Sequence, residues 1–435
     1  MIKHRIHSFG RRDDGAMTVF GLFMFVTMVV IGGLALDVAN AMMARTQLQV
    51  AADAVAHAAL YSREMNDAEQ AKITALALAD VNMPASKYGT VLTADDIKFG
   101  YWDAAARQFE VDDAAFDSVF VDVSRMQSTA NPVGTYFLRF VGIDQWDVRR
   151  GSVFETYIPT CFREGFVADE PVDIQSNNTY VNGFCIHSNT HVEMNNNNLF
   201  EDSTVVSMPD KRDVVLPSSG MDSNIGLESA LRDGSYQIRI LNRLPDIIDG
   251  LENLDDLYLP DYITSNSVIT LGRNISDSDF TPHSVHVVRC RGGQHLQFSA
   301  NAMIADVVLV TNCRINFASG ATLDNAILAT TYISTTTASI SAGAEFTLGR
   351  DDHCAADGGA QILSLSTVDL SAGLNIFGGQ IIAMDDIKFT AGANGIEGAS
   401  LIAGGTISGT AGMVMGFCGG GMERNFQAEY FRLVN

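Results

Sequence analysis

Two acidic clusters are the first residues in this chain that could do chemistry. Asp351-Asp352-His353 and Asp385-Asp386 carry the residue types of a general acid and base, and paired carboxylates of this kind cleave polysaccharides. They lie 34 residues apart. That is not a multiple of the 19-residue repeat described below, so they need not share one face, and solvated turn carboxylates are the plainer reading. His283, His286, His295 and Cys290 form a loose second group. His286 and Cys290 are four apart, but VHVVRC reads as a strand, where such positions sit about 13 Å apart. That spacing does not converge on a metal, and the same discount applies to His187 and His191. The chain has no phosphate-cradling glycine loop, GxSxG elbow or HExxH helix. No catalytic, cofactor-binding or metal-binding residue is therefore assigned, and the chain reads as a non-enzyme.

Composition sets the frame for these residues. The 435 residues suffice for two or three folded units, and 47% are hydrophobic. A net charge of −23 excludes nucleic acid as a partner of the main body. The cysteines fall at 161, 185, 290, 313, 354 and 418, with none earlier and no CxxC pair. An even number in an exported chain implies disulfides among 15 pairings that sequence does not resolve, with buried free thiols as the alternative.

Residues 16–36 form an uncharged apolar run of 21 residues, long enough to cross a bilayer. Lys3, Arg5, Arg11 and Arg12 precede it and Asp37 follows, which orients residues 1–15 to the cytoplasm. The run is too long for a typical signal-peptide core, so an uncleaved anchor is expected despite the Ala39-Asn40-Ala41 triplet. The chain is thus read as a single-pass protein of a bacterial inner membrane, with its later domains in the periplasm.

Beyond the span, residues 37–83 lack glycine and proline and read as helix, either unbroken or interrupted near residue 62. Strands are expected at 97–102, 108–111, 118–123 and 146–157, with a short helix at 133–141 opened by Pro132. Together, 37–158 make a small α+β unit.

Asp14-Gly15-Ala16, the apolar run, Leu36-Asp37-Val38, Gln47-Leu48-Gln49 and Ala51-Ala52-Asp53-Ala54 stand in the order of a known family. With Gly100-Tyr101-Trp102-Asp103, Asn131-Pro132-Val133, Phe137 and Gly142-Ile143, the segment 10–157 resembles TadG-like proteins of Flp (tight-adherence) pilus assembly. Pilin subunits are cut after a glycine and carry Glu five residues on; here that position is Phe20. The resemblance therefore implies an uncleaved assembly protein. Many relatives carry a von Willebrand A domain with a DxSxS site, and Ser276-Asp277-Ser278-Asp279 does not match it. The implied partners are the inner membrane and other pilus-assembly proteins or pilin-like helices, met through Gly32, Gly33 and Ala35.

Residues 161–422 change character. Residues 296–309 align with 315–328 at an offset of 19, placing Phe298 on Phe317, Ala302 on Ala321 and Leu309 on Leu328. Residues 368–373 align with 387–392 at the same offset, which puts Ile382 on Leu401. One repeat of this length is one coil of a right-handed parallel β-helix, with a β-sandwich as the alternative. Asn177-Asn178 and Asn195–Asn198 suit left-handed turns and an asparagine ladder. Residues 209–265 read as an insertion or lateral lobe, and 423–435 as a cap on the end of the coil. The function expected is a membrane-anchored interaction scaffold in pilus assembly. The alternatives are an adhesin or glycan-binding coil and, further off, a polysaccharide lyase or hydrolase.

Overall fold

The computed structural model describes residues 15–292, 294–353, 355–409, 412–416, 418 and 420–434. The basic tail ahead of Gly15 and Cys354 lie outside them. The chain divides into two compact units: Met1–Tyr157 with Glu429–Asn435, and Ile158–Ala428.

The first unit is built on a 48-residue helix, α1 (Ala16–Arg63). Its outer half buries Leu48, Ala51, Ala52, Val55, Ala56, Ala59 and Leu60, a spacing that keeps one helical face inward. Small alanines let a second helix, α2 (Ala68–Asn82), lie close, and Asp67 caps α2 by accepting from the Gln70 N–H at 2.8 Å. The break between α1 and α2 falls at 64–67, near the position expected. Arg63 closes the end of α1: its guanidinium stacks 3.7 Å from the Phe116 ring and donates to the carbonyls of Asn66, Asp113 and Ala114.

The helices pack on an antiparallel sheet of β1 (Ile97–Asp103), β2 (Gln108–Val111), β3 (Ser118–Arg125), β4 (Val148–Tyr157) and β5 (Tyr430–Leu433), in the order β2-β1-β3-β4-β5. The family-like motifs have physical roles here. A Cβ at Gly100 would lie 1.8 Å from the Glu110 carbonyl, and Asp103 caps the β1–β2 turn through Ala105 and Ala106 N–H. Asn131 is buried and ties the Met126 N–H to the Thr90 carbonyl.

Two expectations are corrected in this unit. Residues 133–141 are not a helix: Val133–Gly134 pairs with Gln145–Trp146, and only Leu138–Val141 turns, as a 3-10 segment. That pairing holds Val133–Gly134 extended and Gly142 is left-handed, which leaves room only for this short turn; the Asp37 carboxylate caps its start, accepting from the N–H groups of Tyr136, Phe137 and Leu138 at 2.5, 2.9 and 2.6 Å. Residues 430–433 do not cap a coil either. They pair antiparallel with β4, Tyr430 opposite Tyr157, so the second unit is inserted between two adjacent strands of the first.

The second unit is mostly β, and all its strand pairings among the described residues are parallel. A sandwich needs antiparallel neighbours and does not fit. The strands fall into three ladders. In the first, one register runs through Ile269, His286, Leu309, Leu328, Ile362, Ile381, Leu401, Phe166, Ile186, Val206 and Leu231. Order in space is therefore not order in the chain. The chain enters in the middle at 165, winds outward to 233, crosses back through 235–283, and then winds from 284 until residues 400–403 pair with 165–168. The second and third ladders close at the same seam, through Ile407 on Val172 and Met415 on Tyr180.

The first-ladder strands 284–288, 307–311, 326–330 and 360–364 are buried on both faces; those of the second alternate. Part of that cover is α3 (Arg239–Asn253), whose Ile240, Leu244, Ile247, Ile248 and Leu251 are buried and which lies on the strands at 284–288, 307–311 and 368–383. Continuous apolar runs such as Val307–Thr311 are the sequence mark of strands covered twice. The expected insertion is therefore smaller than 209–265: Leu231–Asp233 still pairs with 206–208 as part of a coil.

Aromatic and amide stacks fill the core. Phe298 stacks on Phe317 at 4.9 Å and Phe317 meets Phe346 at 5.0 Å, in the register read from the repeat. Asn178, Asn198 and Asn224 form a buried ladder, in which the Oδ1 of Asn198 and of Asn224 accepts both the backbone and side-chain N–H of the asparagine before it, at 3.0–3.1 Å. Asn177 and Asn197 take left-handed backbone, as do Asn301, Gly320 and Glu345 at the same corner of later coils. The alignment of Ile382 with Leu401 is off by one: Ile381 pairs with Leu401 and Ile382 with Ile402, because the register shifts between Leu370 and Ile376. Cys161–Cys185 and Cys290–Cys313 are disulfides with Cα atoms 4.9 and 5.2 Å apart, and Cys418 is disulfide-bonded too.

Candidate functional site

The helix α1 is the first candidate. Residues 17–36 expose their large apolar side chains, among them Phe20, Phe23, Phe25 and Ile31. It is the one described helix long and apolar enough to cross a membrane. Where the apolar run ends, the residues 133–150 clasp it. Gly33 is buried, and a Cβ there would lie 2.6 Å from Phe137 Cγ. One turn on, Asp37 is 1% exposed and holds three backbone N–H groups, and Asn40 donates to the Gly134 carbonyl at 3.0 Å. Gly33 thus serves its own chain, which removes it from the small-residue face expected to meet other helices; Gly32 and Ala35 are exposed.

Two clefts flank α1 just beyond the clasp. One, of about 400 Å³, is lined by Asn40, Tyr88 and Tyr136 with Lys87, Arg125 and Arg139. The other, of about 360 Å³, is lined by Met42 and Trp146 with Arg45, Arg149 and Arg150, and Asp147 is its single acid. Arg149 also pairs with the buried Asp122.

The residues singled out for chemistry are dispersed in the second unit. Asp351 and His353 follow the third ladder, where they meet Glu397, the three offering ligand atoms within 4.8 Å of one another. Asp385 and Asp386 sit at a different corner, between residues 379–383 and 387–389. There Asp385 accepts from Ser366, and Asp386 accepts from the Thr406 N–H and pairs with Lys388 at 3.3 Å. The two clusters do not form one acid–base pair. Cys290 is consumed in its disulfide. His286 lies in the inward register at the end of the first ladder, its Nε2 accepting from the Thr281 N–H and its ring 5.1 Å from Phe280. Burial lowers its pKa.

Two constellations were missed from sequence. His187 Nδ1 lies 2.7 Å from Ser207 Oγ, and its Nε2 lies 3.0 Å from Asn189 Oδ1. The order resembles a nucleophile, base and orienting group. However, His187 is 0% and Ser207 4% exposed, which leaves no path for a substrate. Burial lowers the pKa of His187 more than its hydrogen bonds raise it. Asp173 and Glu193 are stacked neighbours in the second ladder. Burial first, then the like charge of Glu193, raises the Asp173 pKa. A spacing of one coil between carboxylates was the signal for this pair. The outward row it belongs to runs Gln297, Asn316, Ser341, Asp369, Lys388, Ser408, Asp173, Glu193, mixed in charge rather than a carboxylate cleft.

Among the described residues, a single span-length apolar helix running into an α+β unit is consistent with a single-pass membrane protein. Residues 15–70 match the family model for Flp pilus-assembly TadE/G-like proteins, which carries the resemblance seen at the N-terminus. Residues 165–419 match the model of a domain of unknown function, DUF7867, over more than half of the chain, and the chain belongs to that family. No curated protein and no solved structure matches the chain.

Proposed function

We propose that this protein is a membrane-anchored structural component of Flp/Tad-type pilus assembly. In this reading α1 spans the inner membrane once, with its N-terminus in the cytoplasm and both units in the periplasm. Residues 165–416 wind as a right-handed parallel β-helix that serves as an interaction scaffold for other assembly proteins. The observation that carries it is the TadE/G-like match falling on the apolar helix. The three parallel ladders support the coil, and the outward row of mixed polar side chains supports docking rather than turnover.

The test exploits the insertion. Residues 158–428 are replaced by an Asn-Gly turn joining Tyr157 to Glu429, which keeps β5 beside β4. Surface pili and adhesion are then scored in the native cell. Loss of pili is the expected result. Pili that persist with reduced adhesion favour the second reading, a glycan-binding adhesin, and no change in either overturns both.

A further inference from the structure

The segment 136–143 leaves five large apolar side chains in the open: Tyr136, Phe137, Phe140, Val141 and Ile143, with Phe140 77% and Val141 71% exposed. Such a patch needs a cover. Its position on α1 says what the cover is. Phe137 sits on Gly33, inside the apolar run 16–36, and Asp37 at the end of that run holds the loop by three hydrogen bonds. At 1.5 Å per residue, Gly33 lies about 5 Å inside the end of the run. Wherever α1 is in a bilayer, this loop is at the same depth.

The loop is also wired for that depth. Away from water, backbone N–H groups need internal partners. Thr135 N–H goes to Asp144, Phe140 N–H to Phe137, Gly142 N–H to Arg139 and Ile143 N–H to Leu138, while Tyr136, Phe137 and Leu138 use Asp37. Behind the loop the two clefts carry six basic side chains against Asp147 and the Asp122 that pairs with Arg149, in a chain of net charge −23. Tyr136 and Trp146 stand where aromatic residues gather at a membrane surface.

We propose that residues 133–150 form a second membrane contact. The loop 136–143 enters the leaflet through which α1 leaves the bilayer, and the basic clefts receive the anionic phospholipid headgroups around it. The contact fixes the rotation and tilt of α1 and holds the first unit on the membrane surface. It rests on the reading that residues 16–36 span the bilayer, and the experiment separates the two.

The full chain, with Trp102 and Trp146 replaced by Phe, carries a single tryptophan introduced either in the loop (Phe140→Trp) or, for comparison, in the span (Phe25→Trp). It is placed in phosphatidylethanolamine–phosphatidylglycerol nanodiscs containing lipids brominated high or low on the acyl chain. The expected result is quenching of the loop tryptophan by the shallow bromines and of the span tryptophan by the deep ones. Gly33→Leu, which evicts Phe137, should shift the loop tryptophan to quenching by aqueous iodide and leave the span tryptophan unchanged. If that variant fails to insert, exchange of phosphatidylglycerol for phosphatidylcholine is read instead: weaker lipid quenching of the loop tryptophan supports the proposal, and unchanged quenching overturns the headgroup contact. A span tryptophan quenched by lipid beside a loop tryptophan reached only by iodide overturns the proposal and leaves the span standing. Neither quenched by lipid overturns both. A loop tryptophan shielded in native membranes but iodide-accessible in nanodiscs assigns the loop to a protein partner and overturns the lipid contact.

Discussion

The two units solve the same problem, burying apolar surface, at different ranges along the chain. In the first, β1, β2 and β3 pair with sequence neighbours, and α1 covers them with one alanine-rich face. In the second, the strands pair in parallel with partners remote in the chain, so each inward side chain depends on the strand stacked against it. A stack of parallel strands is therefore only as sound as its weakest interface. Its seam, where 400–403 meets 165–168, joins the two halves of the winding. Damage there should open the second unit and leave the first intact.

The largest effect is expected from Phe166→Ala. Phe166 is fully buried at the seam, with its ring 5.0 Å from Phe184 and 5.5 Å from Phe389. Truncating such a ring costs about 3–5 kcal/mol. Hydrogen exchange should rise across 165–208 and 379–409 and stay unchanged across 97–157; a rise in both units would break the comparison.

Loss of the Cys161–Cys185 bridge by a double Ser substitution should cost about 2–4 kcal/mol. The first 157 residues contain no cysteine, so reductant should lower the denaturation midpoint of the second unit alone. A shift of the first would show that the units do not unfold separately.

The smallest effect is a pH slope. His187 and His286 are both buried with lowered pKa. The unfolded chain therefore takes up protons first, near the ordinary value of about 6.5. Their contribution is whole above that pH and falls away as pH drops through it toward the folded pKa. His187→Gln should flatten this slope in the second unit; an unaltered slope would assign it elsewhere.

How much of this was legible in sequence follows the same division. The apolar run, the break in the helix and β1–β3 showed in local period and turn residues. So did the Phe298–Phe317 register and the left-handed Asn177 and Asn197, because each is dictated within one repeat. What stayed hidden depends on distant partners. Residues 133–141 looked helical because nothing local reveals that Val133–Gly134 pairs with Gln145–Trp146, or that Asp37, about a hundred residues upstream, caps the short turn that remains. The winding order was invisible because Leu401 would suit a place beside Phe166 or beside any other coil equally well. The Asp173–Glu193 pair showed its spacing in the sequence, but only the register of the stacked strands sets the two side by side.

The insertion between β4 and β5 also has a consequence for timing. The outer edge of β4 is left without its neighbour until residues 430–433 arrive, after the whole second unit has been made. An interrupted chain would present a bare sheet edge of the kind that recruits foreign strands. The final strand thus completes the sheet late: the edge of β4 gains its neighbour only once residues 158–429 have been made.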